Sequence, residues 1–192
     1  MKRIKEKLEP AYKHLVQKPF LCGPCCVQMI LLRRGLGWFD QEKIAFEFKV
    51  KPWIGSKFAF MFPFKFVKKK QEAGPYIKEL AQEFRRFAKK HKLLLEIKLY
   101  KISEVENPTF FIARNLKNGN DIIVNFWLKP VTNANSGHFV LIAAINGKTV
   151  ELCDPGDTDK SFWKANIDNI IYGMSKKWDG NERGFIVVSD KE

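Results

Sequence analysis

The sequence predicts an α+β protein in which an N-terminal helical half packs on a C-terminal antiparallel sheet. Runs with apolar residues every three or four positions fall in the first part of the chain, whereas runs of strand length and strand composition follow. Asn146-Gly147, between two such runs, is a two-residue hairpin signal. With 192 residues, 45% of them hydrophobic, the chain suits one domain over 1–192 with apolar surface for a real core. No repeat, linker or low-complexity tract divides it.

The elements follow in order. HLVQKPFL, with Pro19 in it, reads as extended. After Pro24, CCVQMILLRR puts Cys26, Met29, Ile30 and Arg33 at helical spacing; Leu31 and Leu32 widen the apolar side, and Gly35 and Gly37 end the run. Cys22 is thus expected at a helix N-terminus. Asp40 reads as the cap of a shorter helix through Glu42, Ile44, Ala45 and Phe48.

Over 52–71, Phe58, Phe60, Phe62, Phe64 and Phe66 alternate strictly, with Lys57, Lys65, Lys68, Lys69 and Lys70 around them. A period of two predicts a strand or extended loop. Five such aromatics are expected in a core, or over a cleft where they choose substrates; base stacking and membrane insertion are the competing readings. Pro75 opens a helix to Lys90 with the apolar stripe Ile77, Leu80, Ala81, Phe84, Phe87 and Ala88 and a basic back.

Residues 93–100 read as a strand, and Asn107-Pro108 caps a short helix carrying Phe110, Phe111, Ala113 and Leu116 that stops near Gly119. Strands are expected over 121–128, 137–145, 148–153 and 184–188, and a last helix between Ser161 and Ile171.

Composition excludes several classes. No apolar run approaches the roughly 18 residues of a membrane-spanning helix, and the start MKRIKEKLEPAYKHL has no apolar core or small-residue cleavage site. A soluble, cytoplasmic protein without a transmembrane segment is expected. The formal charge of +13 attracts acidic partners, but the lysines are spread along the chain as on a solubilising surface. Without an arginine-rich arm, nucleic acid is not the expected partner. Three of the four cysteines cluster at Cys22, Cys25 and Cys26, with Cys153 far away, which favours thiol chemistry or metal over a disulfide framework.

A thiol attacks as its thiolate, and a free cysteine with a pKa of ~8.5 is mostly protonated at neutral pH. At a helix N-terminus Cys22 would face the positive end of the helix dipole, and a nearby imidazole can take its proton. Of the three histidines only His138 begins a strong strand, GHFVLIAAI. His138 stands eight residues before Asn146 and Asp154 seven after Gly147, so hairpin pairing brings them to the same end. There the carboxylate can orient the imidazole. Gln17, five positions before Cys22, can donate to an oxyanion together with the Cys22 backbone N–H.

In these residues the sequence resembles the papain-like peptidases of the bacteriocin-processing, double-glycine leader type and their stand-alone relatives. The motifs are Gln17, Cys22-Gly23-Pro24 opening a helix, Gly137-His138 before an apolar run, and Cys153-Asp154-Pro155 ending the next strand. The resemblance is concentrated in 16–48 and 121–156. It implies a papain-like fold and a peptide or protein substrate, with Cys22 as nucleophile, His138 as base and then acid, Asp154 as orienter and Gln17 as oxyanion donor. No cofactor or metal is implied. Hydrolysis of a peptide or amide bond is expected, and transfer of the acyl group to another amine or thiol uses the same residues.

Other readings stand beside it. Aligning Cys25 with the papain-type Cys-Gly-Ser-Cys-Trp would make Cys25 the nucleophile, but Gly-Pro directly after Cys22 suits the helix start better. Cys22-Gly23-Pro24-Cys25 also spells a thioredoxin-like dithiol, which wants a buried strand running straight into it. Cys22, Cys25, Cys153 and His138 are the set from which a zinc site would be built, although a second Cys-x-x-Cys is missing. An inactive papain-like domain that binds a peptide or acidic partner is a further alternative. His14 and His91 are expected at the surface. Cys25, Cys26 and Cys153 are expected as small core residues, with Cys25 near enough in sequence to regulate Cys22 by a disulfide.

Overall fold

The computed structural model describes residues 4–50, 76–156 and 161–191. The alternating phenylalanines and Pro75 lie outside the described residues. Among those described, six helices accompany a sheet of seven antiparallel strands, an α+β arrangement. The chain begins with β1 (Lys5–Lys7), α1 (Cys22–Arg33), α2 (Gln41–Glu47) and α3 (Ile77–Lys90). Then come β2 (Leu95–Lys101), α4 (Pro108–Lys117), β3 (Asp121–Trp127) and the single turn α5 (Lys129–Thr132). It ends with β4 (Gly137–Asn146), β5 (Thr149–Cys153), β6 (Phe162–Asn166), α6 (Ile167–Gly173) and β7 (Gly184–Asp190).

The sheet runs β2-β7-β3-β4-β5-β6. β3 pairs with the first half of β4, Trp127 opposite Gly137, and β1 pairs with the last residues of β4, Lys5 opposite Asn146. Every residue of β3 is buried, so both faces of the sheet are covered at its centre. α1 packs on β4 and α3 on β2 and β7.

The helices form where periodicity places them. α1 is buried continuously from Gly23 to Leu31, as befits a helix that is apolar nearly all round. α3 buries the predicted stripe Ile77, Leu80, Ala81, Phe84, Phe87 and Ala88. Each of its large apolar side chains is worth about 1.5–3 kcal/mol on transfer from water. Asn107 caps α4, its Oδ1 accepting from Phe110 N at 3.0 Å. Asp40 takes the cap position of α2, but its carboxylate accepts from Trp38 Nε1 at 2.7 Å instead of from the helix.

Three expectations are corrected, and one strand is added. Residues 162–166 form β6, not the start of a helix; Phe162 and Trp163 extend the sheet from β5, and Asn166 caps α6 by accepting from Asp168 N at 2.9 Å. The hairpin turn is Gly147-Lys148, because Asn146 still pairs with Thr149. Gly147, at φ 60°, supplies the left-handed conformation of the turn. The register then slips by one residue at a bulge between Ile142 and Ala144. In α4, Phe110 is exposed and Ile112 takes its place in the core, since the buried face is Ile112, Ala113 and Leu116. Finally, β1 is a strand of Lys-Glu-Lys that no apolar alternation announces.

A buried ionic cluster fixes α1. Arg33 Nη2 donates to Asp121 Oδ2 at 2.9 Å and Arg33 Nε to Oδ1, while Arg34 Nε also reaches Oδ2. Arg34 Nη2 donates to Val188 O at 2.9 Å, so the last turn of α1 is tied to β3 and β7. The Asp121 side chain is wholly buried and the arginines are 5% and 8% exposed. Asp121→Asn would leave buried Arg33 without its counter-charge and Arg34 with only the exposed Asp190 carboxylate. It is expected to destabilise the protein by about 3–5 kcal/mol in urea unfolding; a loss below about 1 kcal/mol would contradict this account.

Candidate active site

The segment before α1 is held extended by side chains. Gln41 accepts from Lys18 N at 2.8 Å and donates to Val16 O at 2.9 Å, and Cys25 Sγ donates to Leu15 O at 3.5 Å. A turn closed by Leu21 N to Lys18 O, with Phe20 at φ 65°, swings the chain into the helix. Positive φ is uncommon for a non-glycine residue and places local strain directly before Cys22. The N-cap, Leu21, offers no side-chain acceptor, so the first helical N–H groups are left for other partners. Gly23 lets α1 meet α3 closely: a Cβ there would stand 3.1 Å from Leu80 Cδ1.

Cys22 opens α1 and is half-buried. The His138 ring and the backbone N–H groups of Phe139 and Gly23 stand near enough to its thiol to favour the thiolate form. Burial alone would raise its pKa, but the His138 hydrogen bond and charge outweigh it, and the backbone donors add to them, so the thiol is lowered from its ordinary range.

His138 is the second residue of β4 and is buried. Its Nε2 bonds to Asp154 Oδ1 at 2.6 Å, which leaves Nδ1 for Cys22. Burial disfavours the imidazolium, but hydrogen bonds to Asp154 and Cys22, reinforced by their negative charge, push its pKa up to about 10. Asp154 follows β5 and is buried as well. Burial opposes its ionisation; His138, then Gly156 N and Trp163 Nε1, outweigh it and hold the carboxyl below its usual range. The two groups thus shift in opposite directions, the Cys22 thiol down and the His138 imidazole up, each favouring the charged form of the other.

The structure thus brings Cys22, His138 and Asp154 together. Gln17 lies nearby in the chain path, its N–H donating to Pro155 O at 2.7 Å. Its side-chain Oε1 is buried without a hydrogen-bond partner among the described residues. Cys25, Cys26 and Cys153 are buried, with no disulfide among the described residues. Burial first, then the electrostatic influence of Cys22, Cys153 and Asp154, pushes Cys25 up to about 12; burial and Asp154 do the same for Cys153. Among the described residues no group of His, Cys, Asp or Glu side chains is arranged to hold a metal ion. The dithiol alternative meets a different obstacle, since residues 8–21 form no strand leading into Cys22.

Several residues around the site escaped the sequence reading. His14 is half-buried, not a plain surface residue, and its Nε2 bonds to Asp154 O at 2.7 Å. Trp163 Nε1 donates to Asp154 Oδ2 at 2.8 Å. Buried Asn125 donates to His138 O at 2.9 Å and accepts from Arg183 Nη1 at 3.3 Å. A polar residue inside the apolar run DIIVNFW was the available signal for Asn125. Away from the site, His91 is also half-buried and pairs with Glu47 at 2.9 Å.

No family model matches the sequence, and no curated protein matches it. Among solved structures, a protein from Bacillus anthracis described as a C39-like peptidase aligns at TM-score 0.61 and 15% identity, over 98% of each chain. The peptidase domain of Streptococcus ComA, a bi-functional ABC transporter involved in a quorum sensing pathway, aligns at TM-score 0.56 and 14% identity, over 94% of this chain and 99% of that one. At these identities the likeness is one of fold. The chain has the papain-like fold of these peptidase domains, in keeping with the resemblance drawn from its motifs. No described helix is long and apolar enough to cross a membrane.

The site makes a prediction about stability. His138 has a folded pKa raised from 6.5 to about 10, so its contribution is fully present below 6.5 and lost as pH rises through 10. Cys22 is lowered from 9.0, so its contribution is present above 9.0 and lost as pH falls through its folded value. Between the pH at which folded Cys22 ionises and pH 9, the slopes oppose one another and the pair adds a plateau. In Cys22→Ser the cysteine slope is gone while His138, still raised by Asp154 though no longer by Cys22, keeps a slope of its own, so stability should decline with rising pH above 6.5 relative to the wild type. Unfolding free energies measured as a function of pH check this; parallel profiles for the two proteins would contradict it.

Proposed function

We propose that this chain is a papain-like cysteine hydrolase that cleaves a peptide or amide bond through an acyl-enzyme on Cys22. The observation that carries the reading is the 2.6 Å bond from His138 Nε2 to Asp154 Oδ1, with the His138 ring acting on the Cys22 thiol to lower its pKa. The papain-like fold agrees with it.

In this reading the Cys22 thiolate attacks the substrate carbonyl, and the electron pair of the C=O bond moves to its oxygen. Collapse of the adduct expels the amine, which takes its proton from the His138 imidazolium. Neutral His138 then removes a proton from water as it attacks the thioester, and collapse returns Cys22 as thiolate and His138 as imidazolium. Asp154 keeps the ring oriented through Nε2 and opposes the charge that forms there.

The transient oxyanion is assigned to the Cys22 backbone N–H and the Gln17 amide. The Gln17 N–H donates to Pro155 O at 2.7 Å, one residue after Asp154, which supports Gln17 as the second donor. The net charge of +13 favours peptide substrates with acidic residues.

A peptidyl electrophile at limiting concentration tests the proposal. It should modify Cys22 alone among the four cysteines, and His138→Ala should slow the modification by about 10²–10⁴-fold. Cys22→Ala should abolish both modification and turnover of peptide substrates. Label spread over Cys25, Cys26 and Cys153, or labelling indifferent to His138→Ala, would contradict the mechanism.

A further inference from the structure

Three adjacent strands put three side chains in a row. Cys153 pairs with Leu141 on β4 and with Phe162 on β6. One residue farther on, Asp154 continues the register towards Ser161, its N–H donating to Ser161 O at 3.1 Å. His138 and Trp163 are its diagonal neighbours on either side, and all three side chains share one face of the sheet. The Asp154 carboxylate accepts on Oδ1 from His138 Nε2 at 2.6 Å and from Gly156 N at 2.7 Å. Oδ2 accepts from Trp163 Nε1 at 2.8 Å, and among the described residues Trp163 is its donor.

A carboxylate anchored through one oxygen can still rotate about its Cβ–Cγ bond. Donors on both oxygens fix that rotation, and hydrogen bonds to the charged form favour ionisation. We propose that Trp163 is a positioning residue of the Cys22–His138–Asp154 line: its indole N–H locks the Asp154 carboxylate in the orientation that receives the His138 Nε2 proton. The assignment rests on the hydrolase reading of the site. Trp163 touches neither Cys22 nor the reacting carbonyl in this role; it acts through Asp154, which fixes the His138 ring that sets the charge of Cys22.

The other titratable groups near Asp154 do not duplicate this function. His14 binds the main-chain carbonyl of Asp154. Cys25, Cys26 and Cys153 are buried thiols held protonated by burial and by the charge of Asp154 itself.

The test measures alkylation of Cys22 by iodoacetamide across pH in the full chain. The proteins are the wild type, Trp163→Phe, Trp163→Tyr, Asp154→Asn and the Asp154→Asn/Trp163→Phe double variant, each checked for folding by circular dichroism. Phenylalanine keeps an aromatic ring in β6 with no donor for Oδ2, and tyrosine keeps the ring with its one donor, the O–H, at the para position instead of at the indole N–H. Should one of them fold poorly, the other carries the comparison. Trp163→Phe should slow alkylation by roughly threefold to tenfold at mildly acid pH, move the midpoint of the profile upward and leave the alkaline plateau unchanged. In the Asp154→Asn background it should add nothing, which a general packing defect would not reproduce. A profile that matches the wild type in the folded Trp163 variants while Asp154→Asn shifts it would overturn the assignment and leave the hydrolase reading standing. If wild-type Cys22 alkylates no faster than Cys25, Cys26 and Cys153, the hydrolase reading falls and this assignment with it.

Discussion

The site depends on α1 lying across β4 with its first turn at the end where β4 begins. Cys22 and His138 are far apart in sequence, and closing so long a loop costs entropy that local contacts must offset. The closure is distributed. At the far end of α1, Arg33 and Arg34 converge on buried Asp121. Along its length, nine consecutive buried residues pack into the core. At its start, Cys26 Sγ donates to Phe139 O at 3.6 Å, one residue beyond His138. The ionic cluster makes little net contribution in place of an apolar contact, because desolvation cancels much of the attraction. Its value lies in fixing one end of a helix whose other end carries the thiol.

Electrostatics at the working end follow from that placement. A buried imidazolium is costly by itself, and so is a buried thiolate. Brought together they offset one another, and Asp154 tips the balance towards the charged pair. The three remaining thiols illustrate the contrast. They occupy the same core, with no imidazole against them, and are pushed up instead of down. One sequence cluster, Cys22, Cys25 and Cys26, spaced i, i+3 and i+4 along α1, thus divides into one thiol lowered by the His138 imidazole and two core thiols raised by burial.

Much of this was legible in the sequence. Helical spacing after Pro24, the stripe on α3 and the Asn107-Pro108 cap are local signals, and the structure realises them with small shifts of boundary. The approach of Asp154 to His138 was legible because both flank a hairpin. It survived a turn placed one residue late, since the bulge near Ala143 recovers part of the offset. What escaped was set by tertiary pairing. β1 is a charged tripeptide made a strand by the free edge of β4. β6 read as helix because its five residues adjoin a true helix, and with it went the sheet register that aims Trp163 at Asp154. His14 looked like a surface residue because its partner, a main-chain carbonyl, has no sequence signature.

The central claim is that Cys22 is ionised by His138 inside the fold. The ultraviolet absorbance of its thiolate, taken as the wild type minus Cys22→Ser across a pH titration, tests this most directly. The account predicts a thiolate signal that develops below pH 9 and moves upward in His138→Ala, where only the backbone donors oppose burial. A Cys22 that ionises only at or above pH 9, with or without His138, would contradict it.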